Sequence, residues 1–263
     1  MTRLTVSIVI YRSEQSPLTA TLESLKNATA KLHNSTVTTW IIHNESGQHH
    51  EWLTALSETY SASLITGHGN VGFGRGHNLV LEDVGDYHLI LNPDVEMTEN
   101  ALTAALAFME NHPECGLVTP FASWPDGSQQ FLCKRFPTLL DLFLRGFAPR
   151  MVQSLFKARL DRYEMRDVIG GSAYWDPPIV SGCCMLFRKD VLQRLSGFDP
   201  AFFLYFEDFD ICLRTAQISR IAYLPDMKIV HHGGHAAKKG WWHIMMFAKS
   251  AVTFFNKHGW RLA

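Results

Sequence analysis

At 263 residues, 46% hydrophobic and 19% charged, the chain has the makings of one large folded domain, or a domain with a sizeable appendage, and intrinsic disorder is excluded. The formal net charge of −1 leaves no long-range field to recruit nucleic acid, so no such partner is expected. Five scattered cysteines without a CxxC pair indicate neither a zinc site nor a disulfide framework and predict buried free thiols in a reducing compartment.

Residues 4–11 form a β-branched run that predicts a buried strand. Ser16-Pro17 predicts a helix N-cap followed by proline at the first helical position, and Leu18, Leu22, Leu25 and Leu32 continue an apolar stripe. Further strands are expected at 37–43, 64–66, 87–91 and 116–121, with helices at 52–60 and 101–109. Strands alternating with helices at this pitch argue for an α/β fold with a mostly parallel central sheet flanked by helices. After Ser123 the pattern loosens into turns at 124–127 and 175–178 around one helix at 139–147. It tightens again from Ile179, and 227–230 predicts another short strand. Residues 241–255 are apolar except for a polar stripe containing Lys249, Ser250, Thr253 and, just beyond, Lys257, with Lys238, Lys239 and Arg261 flanking. Such a helix can lie on a membrane surface or pack on its own sheet. The start of the chain lacks a signal-peptide layout and no apolar run reaches membrane-spanning length, which predicts a cytoplasmic protein.

Four places carry candidate chemistry. Gly69–Asn78 is a glycine-rich turn running into a helix, suited either to close approach of a nucleotide phosphate or to a tight strand–helix connection. The first strand is followed by Arg12-Ser-Glu-Gln, without glycine, which disfavours a Rossmann dehydrogenase. Asn92-Pro93-Asp94 follows a predicted central strand, where ligand sites of open α/β sheets lie, and Asp94 is a candidate ligand for a hard divalent cation or a helix-capping turn residue. His231-His232-Gly-Gly-His235 ends another strand, so only one of the adjacent histidines can face a given site. Phe202–Arg214 sets Glu207, Asp208 and Asp210 in an aromatic sleeve. Burial raises the proton affinity of carboxylates, as a general base requires; alternatively the acids favour a helix start and Asp210 pairs with Arg214.

In order and spacing these pieces resemble the family 2 glycosyltransferases of the GT-A type, especially bacterial rhamnosyltransferases. The matching elements are SIVIY, GNVGFGRGHN, LNPDV, DGSQ…RFPTLLDL, SGCCMLFRKDVL, GFDPAFFLYFEDFDICLR and HHGGH. The resemblance implies a GT-A domain over 1–235, with a Rossmann-like nucleotide-sugar half (1–122) and an acceptor half (123–235), followed by an amphipathic helical extension (236–263). It implies Mg²⁺ or Mn²⁺ held by Asp94 and His231 (less so His232), with Asp208 as catalytic base and Glu207 beside it. Tyr11, His43, Asn44, Asn70, Gly72, Phe73, Arg75, Gly76, Asn78, Asn92 and Pro93 would border the donor, and Gly182, Cys183 and Phe206 the acceptor. The expected reaction is inverting transfer of L-rhamnose from dTDP-β-L-rhamnose to a lipid-linked or cell-surface glycan, with peripheral contact at the inner membrane face through the C-terminal helix. His43 departs from the family, whose second strand usually ends in a base-reading Asp, and Val180 stands where an aromatic is common. Three rivals remain: a UDP- or GDP-linked donor, a non-catalytic nucleotide-sugar-binding module, and a sugar nucleotidyltransferase, the last disfavoured by the missing glycine-rich loop after the first strand.

Overall fold

A computed structural model of the chain describes residues 1–45, 51–233 and 240–263. The β-branched N-terminus forms β1 (Thr2–Ile10), followed by α1 (Gln15–Thr29), β2 (Ser35–His43), α2 (Glu51–Thr59), β3 (Ser63–Ile65), α3 (Phe73–Asn78) and β4 (Tyr87–Leu91). Next come β5 (Val95–Met97), α4 (Ala101–Asn111), β6 (Cys115–Ser123), β7 (Gln129–Gln130) and β8 (Cys133–Lys134). Short helices α5 (Leu139–Gly146), α6 (Arg150–Leu155) and α7 (Lys157–Tyr163) lead to β9 (Tyr174–Trp175), β10 (Ile179–Val180) and β11 (Cys184–Arg188). The chain closes with α8 (Lys189–Arg194), α9 (Glu207–Thr215), β12 (Arg220–His231) and α10 (Trp241–His258).

The main sheet has the order β3-β2-β1-β4-β11-β6-β12-β5. β1, β2, β3, β4, β6 and β12 run one way; β11 and β5 run against them. The expected mostly parallel sheet is therefore present, with β11 and β5 reversed and the two-residue β7 and β9 added antiparallel to β6 and β12. Side chains alternate across it. Leu89 and Leu91 join β1, α1 and α4 in one core, while Ile90, Met185 and Phe187 pack with Phe198, Ile211 and Leu192 on the other face.

Register brings the candidate residues to one edge. Ile10 pairs with His43, Leu91 with Cys184, and His231 with Val95. His43, Asn92–Asp94, Gly182–Cys183 and His231 thus all emerge at the carboxyl ends of the parallel strands, where such sheets bind ligands.

Three local expectations change. α1 begins at Gln15 with Glu14 as N-cap and no side-chain cap, so Ser16-Pro17 lies inside the first turn. Proline is tolerated there because first-turn N–H groups lack helical partners in any case. The strand expected at 227–230 is the end of twelve-residue β12, whose register breaks between Leu224 and Lys228 around Pro225. Of the two readings of the C-terminal helix, packing on the domain describes its second half. Phe254 and Phe255 are fully buried with Ile179, Phe202 and Phe206, and Arg261 and Leu262 carbonyls accept from Leu139 and Leu140 N–H. The first turn leaves Trp241 73% exposed. All five cysteines are buried free thiols, as expected. Among the described residues no helix is long and apolar enough to cross a membrane.

Candidate active site

Asp208 sits in the first turn of α9, which is entered through Tyr205 and Phe206, two non-glycine residues in left-handed backbone (φ 69° and 65°). That strain persists because the surroundings overdetermine it. Phe206 is buried against Phe209, Phe247 and Phe254, and Ser250 of α10 donates to the Leu204 carbonyl. The turn aims Asp208 at the sheet edge. One of its carboxylate oxygens accepts from Gly182 N–H at 3.0 Å, the other from Phe209 N–H at 3.0 Å. A Cβ on Gly182 would lie 3.1 Å from the Asp208 Cβ, so glycine lets the two chains meet.

Glu207 and Asp208 line one cavity of about 310 Å³. Burial raises the proton affinity of both. Glu207 also feels the Asp208 charge, whereas the Gly182 and Phe209 N–H groups favour ionised Asp208. The difference poises Asp208 as the ionised partner and Glu207 as the protonated one, and Glu207 Oε2 is buried without a hydrogen bond. Asp210 has a different fate. Fully buried, it accepts from Arg214 (2.7 Å), Lys257 (2.7 Å) and His258 (2.8 Å), so beyond the expected Arg214 pair it anchors α10.

On the other side of Gly182–Cys183 lies Asp94. Asn92 N–H donates to the Cys183 carbonyl at 2.8 Å, which ties the two sides together. Burial pushes the Cys183 thiol up to about 12, and the charges of Asp94 and Asp208 both add to it. Asp94 Oδ1 is 3.6 Å from His231 Nε2, and His231 Nδ1 meets Gln130 Oε1 at 2.9 Å, which orients the ring. His232 turns away to Glu96 at 2.6 Å. A Cβ at Gly233 would fall 2.1 Å from Asp94 Oδ2, so a larger residue there would displace that carboxylate; His235, Lys238 and Lys239 lie outside the described residues. Asp94 Oδ1 and Asn92 Oδ1 are buried without hydrogen-bond donors, an environment that a hard cation satisfies. Among the described residues no three His, Cys, Asp or Glu side chains form a complete metal cage.

The glycine loop is explained largely by packing. A Cβ at Gly72 (φ +89°) would strike the Phe203 carbonyl oxygen at 2.2 Å, one at Gly74 would meet Phe198 at 2.7 Å, and one at Gly76 would meet Val9 at 2.8 Å. Asn70 Oδ1 accepts from Gly72 N–H, and Phe73 N–H donates to Phe203 O. Arg75 and Asn78 hold the Pro200 and Phe198 carbonyls, fastening this loop to the approach of α9. Asn44 donates to Gly72 O and contacts His68, while His43 is buried 3.4 Å from Glu45. Tyr11 is half-exposed beneath the Arg12 guanidinium. Ser46, which follows, lies outside the described residues.

Sequence reading missed Gln130, Tyr205 and a charged group of Lys134, Arg145, Glu164 and Arg166, all lining the same cavity as Asp208. The loosely patterned 123–180 stretch gave no signal for them.

This mixed α/β fold, a mostly parallel central sheet flanked by helices, is the GT-A fold of solved glycosyltransferases. The mannosyltransferase PcManGT from Pyrobaculum calidifontis, solved with GDP-Man and Mn²⁺, superposes with a TM-score of 0.60 at 17% identity, over 96% of this chain and 64% of its own. The chain thus spans a little under two thirds of that protein. In sequence it is rhamnosyltransferase-like. It is 26% identical over 226 residues to the N-acetylglucosaminyl-diphospho-decaprenol L-rhamnosyltransferase of Mycobacterium tuberculosis, covering 78% of this chain and 71% of the relative. It is 25% identical over 195 residues to rhamnosyltransferase WbbL of Escherichia coli K12, covering 70% and 69%. No protein-family model matches the chain.

Proposed function

We propose that the chain transfers L-rhamnose, with inversion, from dTDP-β-L-rhamnose to a hydroxyl of a lipid-linked or cell-surface glycan. The observation that carries this reading is the pair of carboxylates, Asp94 with His231 and Asp208 with Glu207, facing one edge across Gly182–Cys183. Residues 1–122 supply the donor half and 123–235 the acceptor half. Asp208 takes the proton of the acceptor hydroxyl as that oxygen bonds to the anomeric carbon and the bond to the diphosphate breaks. Glu207, kept protonated by burial and by its neighbour, orients the acceptor. Mg²⁺ or Mn²⁺ held by Asp94 and His231 supplies charge neutralisation for the departing diphosphate. His43, Asn44 and Tyr11 lie at the end of the strands that would face the nucleotide base.

The names of the two relatives support the rhamnosyl donor, and that of the mycobacterial one supports a lipid-linked acceptor. Exposed Trp241, Trp242 and Met245 on α10 support peripheral contact with the cytoplasmic membrane face that would carry such an acceptor. Purified protein with Mn²⁺, a panel of dTDP-, UDP- and GDP-sugars and lipid-linked glycans tests the reading. Transfer from dTDP-rhamnose is expected, and Asp94→Asn should weaken Mn²⁺-dependent donor binding about tenfold or more. Transfer from another nucleotide sugar alone would overturn the donor assignment; donor binding without transfer or hydrolysis would make the protein a binding module.

A further inference from the structure

In the cavity that Asp208 lines, three cations converge on one carboxylate. Lys134 Nζ lies 3.4 Å from Glu164 Oε1, Arg145 Nε 3.2 Å from the same oxygen, and Arg166 donates twice to Oε2 at 2.9 and 2.7 Å. Lys134 is 7% exposed, and its ammonium also donates to the Phe131 carbonyl. Arg166 additionally lies 3.3 Å from Asp161, but Asp161 is shared with Lys157, so the cluster remains in excess of positive charge. Asp208 is bonded to backbone N–H groups rather than to these cations, although the Arg145 charge reaches it and favours its ionised form. Burial, followed by repulsion from Arg145, drives the Lys134 amine down to about 7. Lys134 is buried, while Arg145 and Arg166 are about half exposed at 52% and 44%, so an anion entering the cavity can reach both guanidinium groups.

We propose that Lys134, Arg145 and Arg166 form a phosphate subsite on the acceptor side, seating the phosphate or diphosphate that joins the acceptor sugar to its lipid. The proposal rests on the acceptor-side reading of this cavity. Glu164 holds the three cations in a fork that matches phosphate oxygens. Asp208 lines the same cavity, so a sugar anchored there by its 1-phosphate can present a hydroxyl to the base. An apolar path leads away from it: Phe247 lines the cavity, contacts Phe147 at 6.5 Å, and Phe147 stacks on half-exposed Phe143, with exposed Met151 and Leu155 on adjacent α6. A prenyl chain can follow that path out of the site.

Calorimetry with farnesyl diphosphate in EDTA tests this without requiring sugar transfer. Wild-type protein should bind it, and Arg145→Gln and Arg166→Gln, changed at partly exposed side chains, should each weaken binding about tenfold. Glu164→Gln should tighten it, a change of opposite sign that impaired folding does not mimic. Asp94→Asn should leave it unchanged; loss in that variant, or a requirement for Mn²⁺, would assign the diphosphate to the donor side and overturn the proposal. Equal binding of farnesol, or unchanged binding in both arginine variants, would likewise overturn it. If the subsite binds as expected while wild-type protein transfers no sugar, the function reading fails and the subsite stands.

Discussion

Along the edge made by β1, β2 and β4, most polar side chains are committed to other parts of the protein. Asn44 holds the Gly72 carbonyl, Asn70 the Gly72 N–H, and Arg75 and Asn78 the carbonyls of Pro200 and Phe198. Across Gly182 the balance is reversed: Glu207 Oε2 has no hydrogen bond, Asp208 has N–H donors but no cation at contact distance, and three cations share Glu164. Apart from Asn92 and Asp94, whose Oδ1 atoms lack hydrogen bonds, the first region spends its polar groups on shape, whereas the second holds more charge than it pairs. The same contrast recurs two residues apart on α9, where Asp210 is in direct contact with Arg214, Lys257 and His258, whereas Asp208 is bonded to backbone N–H groups and feels the Arg145 charge only at longer range.

That pair gives the sharpest way to break the comparison. Asp208→Asn should lower the rate of sugar transfer by about 10²–10⁴-fold while leaving the thermal midpoint unchanged or higher. Asp210→Asn leaves the Arg214 and Lys257 charges around a neutral amide and should cost about 3–5 kcal/mol in denaturant unfolding. An inactive but stable Asp210→Asn beside an active Asp208→Asn would reverse both assignments. Gly72→Ala comes next. It adds a Cβ against the Phe203 carbonyl at a left-handed position, and roughly 2–4 kcal/mol should be lost. If the loop served only to admit phosphate, the alanine would weaken donor binding and spare the unfolding midpoint.

How much of this could be seen in the sequence follows from the range of the interactions. β4 was legible to the residue because YHLIL is an apolar run closed by Asn-Pro, and Asp94 and His231 each followed a legible strand end. The reason for the three glycines was not, since Phe203, Phe198 and Val9 are remote in sequence from the loop they abut. Nor was the Lys257–Asp210 pair, 47 residues apart, which turned an apparent polar stripe on α10 into an anchor. Removing residues 241–263 would therefore expose Phe202 and Phe206 along with any membrane face, and only substitutions at exposed Trp241 or Met245 isolate lipid contact. The cations around Glu164 come from β8, α5 and the turns after α7, pieces too short to carry a pattern.

The two regions should also answer pH with opposite signs. Glu207 binds its proton more tightly folded than unfolded, so its contribution is present below the ordinary carboxylate range and lost as pH rises through the raised folded value. Glu207→Gln should therefore match wild type near pH 4.5 and exceed it by roughly 1–3 kcal/mol near pH 9. Behind the donor edge, His88 bridges Thr5 and Ser7 at 2.8 Å each, and His77 meets Ser7 at 2.7 Å.

Burial holds His88 down at about 3 and lowers His77 as well, with the neighbouring His88 adding to it. Unfolded histidine titrates near pH 6.5, so between that value and about 3 the unfolded chain binds the extra protons. Stability supplied by these neutral rings is complete above pH 6.5 and is lost on acidification. His88→Gln removes one such proton and should flatten the fall in unfolding free energy between pH 6.5 and 5.5 by about 1 kcal/mol, at some cost in stability at pH 8 from the altered bonds to Thr5 and Ser7. Guanidinium midpoints at the three pH values decide it. An unchanged slope would mean that His88 is protonated in the folded protein, a buried charge behind the edge made by β1, β2 and β4.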